Sequence, residues 1–156
     1  QQFISDVAWG ELDFLFIDLP PGTGDEPLSI MQLIPDMDGV VIVTMPSEIS
    51  EAVVRKSVTF AKQVGVPVIG IVENMSGFVC PECGKKIDIF KSGGGKRISQ
   101  DLNIPYLGNI PLDPQVCTDS DNGLQFISEK SDSPRAKVFN EIFIKTKQFL
   151  EKNMGE

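Results

Sequence analysis

Histidine is absent from the chain. That removes the usual general base, the Ser–His and Cys–His nucleophile pairs, and every imidazole metal site. Any metal must therefore be held by sulfur or oxygen, and any hydrolysis must draw on carboxylates, lysine, backbone amides or a cofactor. Cysteine is scarce at three residues. In a reducing compartment so few thiols point to metal binding or a buried thiol before structural disulfides. No apolar run approaches the roughly 20 residues that span a bilayer. The start, Gln1-Gln2-Phe3-Ile4-Ser5-Asp6, lacks the basic-then-apolar order of a leader. A cytoplasmic chain is expected. Positive charge is in deficit, 14 Lys and Arg against 22 Asp and Glu, for a net charge of -8. Such a surface repels phosphate backbones and anionic lipid, so neither nucleic acid nor membrane is expected as a partner. Small molecules and proteins remain. No internal repeat or low-complexity tract is found.

The apolar content is 41%, enough for one domain over residues 1–156 with a real core. Phe14-Leu15-Phe16-Ile17 reads as a buried strand ending at Asp18 and stopped by Pro20-Pro21-Gly22. Val40–Val43 before Pro46, Val66–Val72 before Glu73-Asn74, and the weaker Tyr106–Ile110 before Pro111 read the same way. Runs without alternation predict strands covered on both faces, as in a parallel sheet. Between the second and third runs Ile49, Ala52, Val53, Phe60, Ala61 and Val64 recur near the helical period, with Ser47 as N-cap and Gly65 as the stop. Shorter helices are predicted over Pro27–Ile34 and Lys96–Leu102. A last helix over Pro134–Lys152 carries a stripe of Val138, Phe139, Ile142, Phe143, Phe149 and Leu150. Strands alternating with helices predict an α/β fold with a doubly wound, mainly parallel sheet. Ligands of such sheets sit beyond the carboxyl ends of the strands, where Asp18, Ser47, Asn74 and Asp113 fall.

Asp18-Leu19-Pro20-Pro21-Gly22-Thr23-Gly24-Asp25 follows directly on an apolar run. An acid at a strand tip can orient the water shell of Mg²⁺, and Gly22 can bring its amide close to a phosphate. An ordinary strand-to-loop exit has the same composition. Cys80-Pro81-Glu82-Cys83-Gly84 is the sharpest local feature. Two thiolates at this spacing can bind one metal or cluster, but zinc and a four-iron cluster normally take four. The others would come from Cys117, from oxygen, or from the same pair in a second subunit across a two-fold axis. A redox pair and a plain loop are the alternatives, the redox reading being the weaker because no strand-to-helix junction carries the motif. Cys117 reads as a lone thiol. Asn74 can hydrogen-bond a purine edge, and it is equally a good turn former. Ser92-Gly93-Gly94-Gly95-Lys96-Arg97 resembles a phosphate loop, yet Phe90 and Arg97 stand where the pattern needs glycine and a hydroxyl. A glycine-rich start to a helix, with possible anion contacts, is the expectation there.

Taken in order and spacing, Phe16–Asp25, Val72-Glu73-Asn74-Met75-Ser76, Cys80–Cys83 and Gly108-Asn109-Ile110-Pro111-Leu112-Asp113 resemble the Mrp/ApbC family of MinD-like P-loop ATPases. The resemblance runs from about Phe3 to Gly123. It implies an ATP-dependent scaffold or carrier that is a homodimer, with a [4Fe–4S] cluster or zinc bridged by Cys80 and Cys83 of two subunits and passed to apoprotein clients. It further implies that Asp18 is the Mg²⁺-associated carboxylate, that Gly22 and Asp25 lie in a switch segment, that Asn74 recognises the base, and that Pro111, Leu112 and Asp113 line the adenine pocket. The chain would be the C-terminal part of a single P-loop NTPase domain, with residues 76–95 forming the metal-binding insertion. The family's phosphate-gripping loop and first switch have no counterpart in this sequence, so the domain is expected to be incomplete on its N-terminal side, leaving apolar faces and backbone groups near Asp18 without neighbours. Nucleotide binding by this chain alone is then expected to be weak or absent. Two other functions fit parts of the pattern: a MinD/ParA-like positioning ATPase, against which the acidity and the cysteine pair argue, and a zinc-bridged dimerisation module.

Overall fold

The computed structural model describes residues 2–124 and 132–153, the side chain of Phe3 excepted. The chain divides into two units, residues 1–37 and 38–156.

The first unit holds two helices, α1 (Gln2–Ser5) and α2 (Asp25–Leu33), the latter begun by Gly24 and carrying Asp25 and Glu26 in its first turn. Acids there complement the partial positive charge of a helix start. The predicted strand at Phe14–Ile17 does not form. These residues have no ladder, Phe16 is 71% exposed, and the rings of Phe14 and Phe16 stack at 6.2 Å. A strand is held by its neighbours, and the described residues of this unit contain no other strand to pair with it.

The second unit is built on a parallel sheet of β1 (Val40–Thr44), β2 (Val68–Glu73) and a third strand, Tyr106–Asn109, with β2 in the centre. Register runs Ile42↔Ile71, Val43↔Val72 and Thr44↔Glu73 on one side of β2, and Val72↔Gly108 and Glu73↔Asn109 on the other. The three carboxyl ends therefore lie level. In chain order the remaining elements are α3 (Glu48–Gln63), a two-stranded hairpin of β3 (Phe78–Val79) and β4 (Lys86–Ile87), α4 (Gly94–Leu102), the strand at 106–109, hereafter β5, α5 (Pro114–Asp121) and α6 (Pro134–Asn153).

Only β2 behaves as a strand covered on both faces, buried from Ile69 to Glu73. It feeds two apolar clusters, one of Val54, Val58, Ile71, Ile98 and Ile104, the other of Ile69, Val72 and Leu107 with Ile142, Phe149 and Leu150 of α6 packed on it. The expectation that β1 is covered on both faces fails: its burial alternates, with Val41 and Val43 exposed, as in a strand covered on one face.

Helix α3 begins and ends as expected. Ser47 Oγ accepts from the Ser50 amide at 3.3 Å, and Gly65 at φ +78° lets the Val66 amide reach back to the Ala61 carbonyl at 3.0 Å. Its buried face is rotated from the predicted one. Val54, Val58 and Ala61 enter the core while Ile49 and Val53 are exposed. The helix carries two apolar stripes, and the sheet covers only one. On α6, Phe143 likewise lies on the exposed side. Exposed ion pairs Arg55–Asp101 and Arg97–Glu51 join α3 to α4, and such pairs add little stability each. No helix among the described residues is long and apolar enough to cross a membrane.

Gly70 shows how tightly β2 meets β5. A Cβ there would sit 2.7 Å from the Pro105 carbonyl oxygen and 2.6 Å from Leu107 Cγ. Gly70→Ala is expected to cost roughly 1–3 kcal/mol through overpacking. Urea unfolding followed by far-UV circular dichroism measures it, and an unchanged midpoint would contradict this packing.

Candidate functional site

The level ends of β1, β2 and β5 form the base on which the candidate site is built. Beyond Glu73 the Asn74 amide donates to the Thr44 carbonyl at 2.7 Å. Asn74 Oδ1 accepts from the Met75 amide at 2.9 Å, and Met75 turns the chain with φ +55°. This bond to the next amide holds the side chain at the strand tip.

The chain then runs beside the segment that leaves β5. The Ile110 amide donates to the Glu73 carbonyl at 2.8 Å, the Ser76 amide to the Ile110 carbonyl at 3.0 Å and the Leu112 amide to the Gly77 carbonyl at 2.8 Å, and Phe78 bridges Leu112. Residues 73–78 and 110–112 thus run side by side, and Asn74 and Pro111 lie within these two paired segments. Asp113 caps α5, accepting from the Gln115 amide at 2.9 Å. Its other oxygen takes Arg135 Nε at 3.3 Å, and Arg135 Nη1 reaches the buried Asp119 at 3.0 Å. The Asp113 carboxylate is therefore committed to holding α5 and α6.

Continuing from Phe78, the β3–β4 hairpin carries the two cysteines in its turn. Phe78 pairs with Ile87 and Val79 with Lys86. The Cys80 amide donates to the Lys85 carbonyl at 3.0 Å, and the Gly84 amide returns to the Cys80 carbonyl at 2.9 Å with Gly84 at φ +68°. This is the left-handed turn that glycine permits at no cost. The folding of the turn aims backbone N–H groups of Cys83 and then Glu82 at the Cys80 sulfur, and the Cys83 thiol joins them. Together they push the Cys80 thiol below its ordinary value. The thiolate is the reactive form of cysteine, and this turn favours it. Cys80 is half-buried and Cys83 exposed. No group of three or more Cys, Asp or Glu side chains able to hold a metal occurs among the described residues. Cys117 sits apart on α5 with Sγ 3.9 Å from Asp121 Oδ2.

Asp18, Gly22 and Asp25 belong to the first unit. Asp18 is exposed in a segment without regular structure, Gly22 has φ +108°, and Asp25 opens α2.

Glu73 is the residue that sequence reasoning passed over. It is wholly buried at the tip of β2. Its carboxylate accepts from the Gly93 amide at 2.8 Å, from the Gly95 amide at 2.5 Å, and from the Ser76 hydroxyl. The anion at the glycine-rich helix start is thus the chain's own. The Gly93 and Gly95 amides, part of the stretch that resembles a phosphate cradle, are satisfied from inside. The only signal was an acid ending an apolar run, with glycines following at a distance. Nearby Tyr106 has its hydroxyl pushed up to about 12, by burial first and then by the Glu73 charge.

Against this geometry, residues 1–147 match the family model described as ParA, the NUBPL iron-transfer P-loop NTPases. The chain belongs to that family. Among relatives of this NUBPL-type chain are the iron-sulfur cluster carrier proteins of Methanocaldococcus jannaschii, 50% identical over all of the chain and 52% of the relative, and of Saccharolobus solfataricus, 49% identical over 98% of the chain and 52% of the relative. A solved structure of the nucleotide-binding protein from Archaeoglobus fulgidus, in complex with ADP and with cobalt found by PIXE, superimposes with a TM-score of 0.70 at 46% identity. It covers 78% of this chain and 50% of that one. The chain therefore spans about half the length of the relatives it matches, and its doubly wound α/β sheet is that of the P-loop NTPases.

Two titrations check the electrostatics of this NUBPL-type chain. Because its thiolate is favoured, Cys80 is expected to react with iodoacetamide faster than Cys83 or Cys117 at neutral pH, with a rate midpoint below the ordinary thiol value near 8.5. Peptide mass mapping reads this, and equal rates at all three sites would refute the turn geometry. Tyr106 is the single tyrosine, so absorbance near 295 nm titrates it alone. Its midpoint should lie well above the ~10 of an unfolded chain, and Glu73→Gln should lower it part of the way. The raised value stabilises the fold below about pH 10, and that contribution is lost as pH climbs through the folded midpoint near 12.

Proposed function

We propose that this chain supplies the cysteine-bearing part of an ATP-dependent iron–sulfur cluster carrier, in which two copies meet at a two-fold axis and Cys80 and Cys83 of each hold one [4Fe–4S] cluster as cargo. The observation that carries the reading is the hairpin turn, closed by the Cys80 amide on the Lys85 carbonyl at 3.0 Å and the Gly84 amide on the Cys80 carbonyl at 2.9 Å, which holds Cys80 and Cys83 together at its tip. A half-site of two thiolates calls for two more, and a second copy of the same pair provides them. Each cysteine gives up its proton on ligation, so a thiol already biased toward thiolate loads at lower pH. The names of the relatives, iron-sulfur cluster carrier proteins at about half identity, support the cargo class.

The nucleotide part of the reading rests on segments. ATP and Mg²⁺ belong to the complete protein, where nucleotide turnover would drive loading or release. In this chain Asn74, with Pro111, Leu112 and Asp113 beside it, would face the base, the first two loop residues through their backbone and Asp113 as the post of α5. Asp18 would orient the metal's water shell, and Gly22 and Asp25 would form the segment that responds to phosphate. Clients are apoproteins with vacant thiolate sites, and the net charge of -8 keeps nucleic acid and anionic membrane away. The compartment we infer is the cytoplasm, where the pair stays reduced.

Anaerobic reconstitution with ferrous iron and sulfide tests the proposal. The expected product absorbs near 400 nm and contains two chains and four irons by native mass spectrometry, and Cys80→Ser or Cys83→Ser abolishes it. Uptake of zinc alone by the same pair would redirect the reading to a zinc-bridged dimer. No iron or zinc under oxygen-free handling would sink both.

A further inference from the structure

The cysteine hairpin is a long excursion between β2 and α4, and its own ladder is two residue pairs. A ladder that short is not stable alone. The excursion leaves the sheet at Ser76 and returns at Gly93, and one side chain touches both places. Glu73 Oε1 accepts from the Ser76 hydroxyl where the excursion starts and from the Gly93 amide, at 2.8 Å, where it ends. Oε2 holds the Gly95 amide at 2.5 Å. We propose that Glu73 is the positioning residue of the cysteine hairpin: its single buried carboxylate latches the two ends of residues 77–92 together and so sets where Cys80 and Cys83 are presented.

Three physical facts favour a latch over an ordinary core acid. First, Glu73 has no exposed surface, and a buried carboxylate is tolerated only when donors answer it. Here the donors are two amides at the start of α4 and a hydroxyl, a charge-assisted set aided by the helix dipole. Secondly, the glycines are what let those amides arrive. A Cβ on Gly95 would lie 3.0 Å from Glu73 Cβ, and one on Gly94 would lie 2.9 Å from the Pro46 carbonyl oxygen. The helix start is pressed into the ends of β1 and β2, with no room for a side chain. Thirdly, Glu73 directly precedes Asn74, so the latch shares its peptide with the turn at the strand tip. The bearing of the latch on cargo rests on the cysteine reading above; the latch itself does not.

The test compares wild type, Glu73→Gln and Ser76→Ala. Glutamine keeps the shape but turns an NH₂ toward amide donors, while Ser76→Ala removes one contact and leaves the charge in place, so it remains informative should the first variant fold poorly. Amide hydrogen exchange should accelerate roughly tenfold or more at Cys80 and Gly84 in both variants, with protection in α3 and β1 retained. Selective alkylation of Cys80 over Cys83 should narrow in parallel. Zinc affinity, read by competition with a chromophoric chelator, should fall by a comparable factor although both cysteines are intact. Unchanged exchange and alkylation in both variants would overturn the latch, even if Cys80→Ser still abolishes metal binding. Loosened exchange in a protein that takes no metal at all would uphold the latch and bring down the carrier reading instead.

Discussion

A carboxylate sealed beneath the end of a parallel sheet is the constraint around which the second unit is arranged. Without donors it would cost several kcal/mol to keep ionised. The chain answers it with the start of α4, and that answer dictates much else: glycine where the helix presses on the strands, a hydroxyl at Ser76, and the closure of a hairpin whose own ladder is only two pairs. Strand β2 contributes the central apolar column and the buried charge, and the turn at Asn74-Met75 follows directly on it. Core, latch and site therefore share a backbone and cannot shift independently.

Much of this fold could be read from residues. The uninterrupted apolar run ending at Glu73 marks β2 as a strand, and Ser47 and Gly65 bracket α3 because a cap oxygen and a left-handed turn are local chemistry. The readings that failed depended on neighbours. Phe14–Ile17 has strand composition, but pairing requires a second strand. Helix α3 carries two apolar stripes, and no local rule says which one the sheet will cover. For β1 the same limit applies, since a run of valines looks alike whether one face is covered or two.

For the candidate site, the segments marked in the sequence at Asn74 and Pro111–Asp113 are the ones that the backbone ladder gathers, and the cysteine spacing becomes a turn with amides aimed at sulfur. Glu73 stayed hidden for a definite reason. An acid at the end of an apolar run looks like the first polar residue of a loop, and the amides it binds belong to a stretch whose glycines suggest a different anion. Long-range satisfaction of a buried charge has no periodicity and no fixed spacing, so only coordinates reveal it.

The valines left bare on β1 carry a consequence for the behaviour of the purified chain. Among the described residues that strand pairs on one side only, and its open ladder beside Val41 and Val43 is a template on which another molecule's strand can dock. Opposing this is mutual repulsion between chains of net charge -8, a force that added electrolyte shortens to about 3 Å at 1 M. Raising the ionic strength therefore weakens the repulsion that keeps concentrated solutions dispersed.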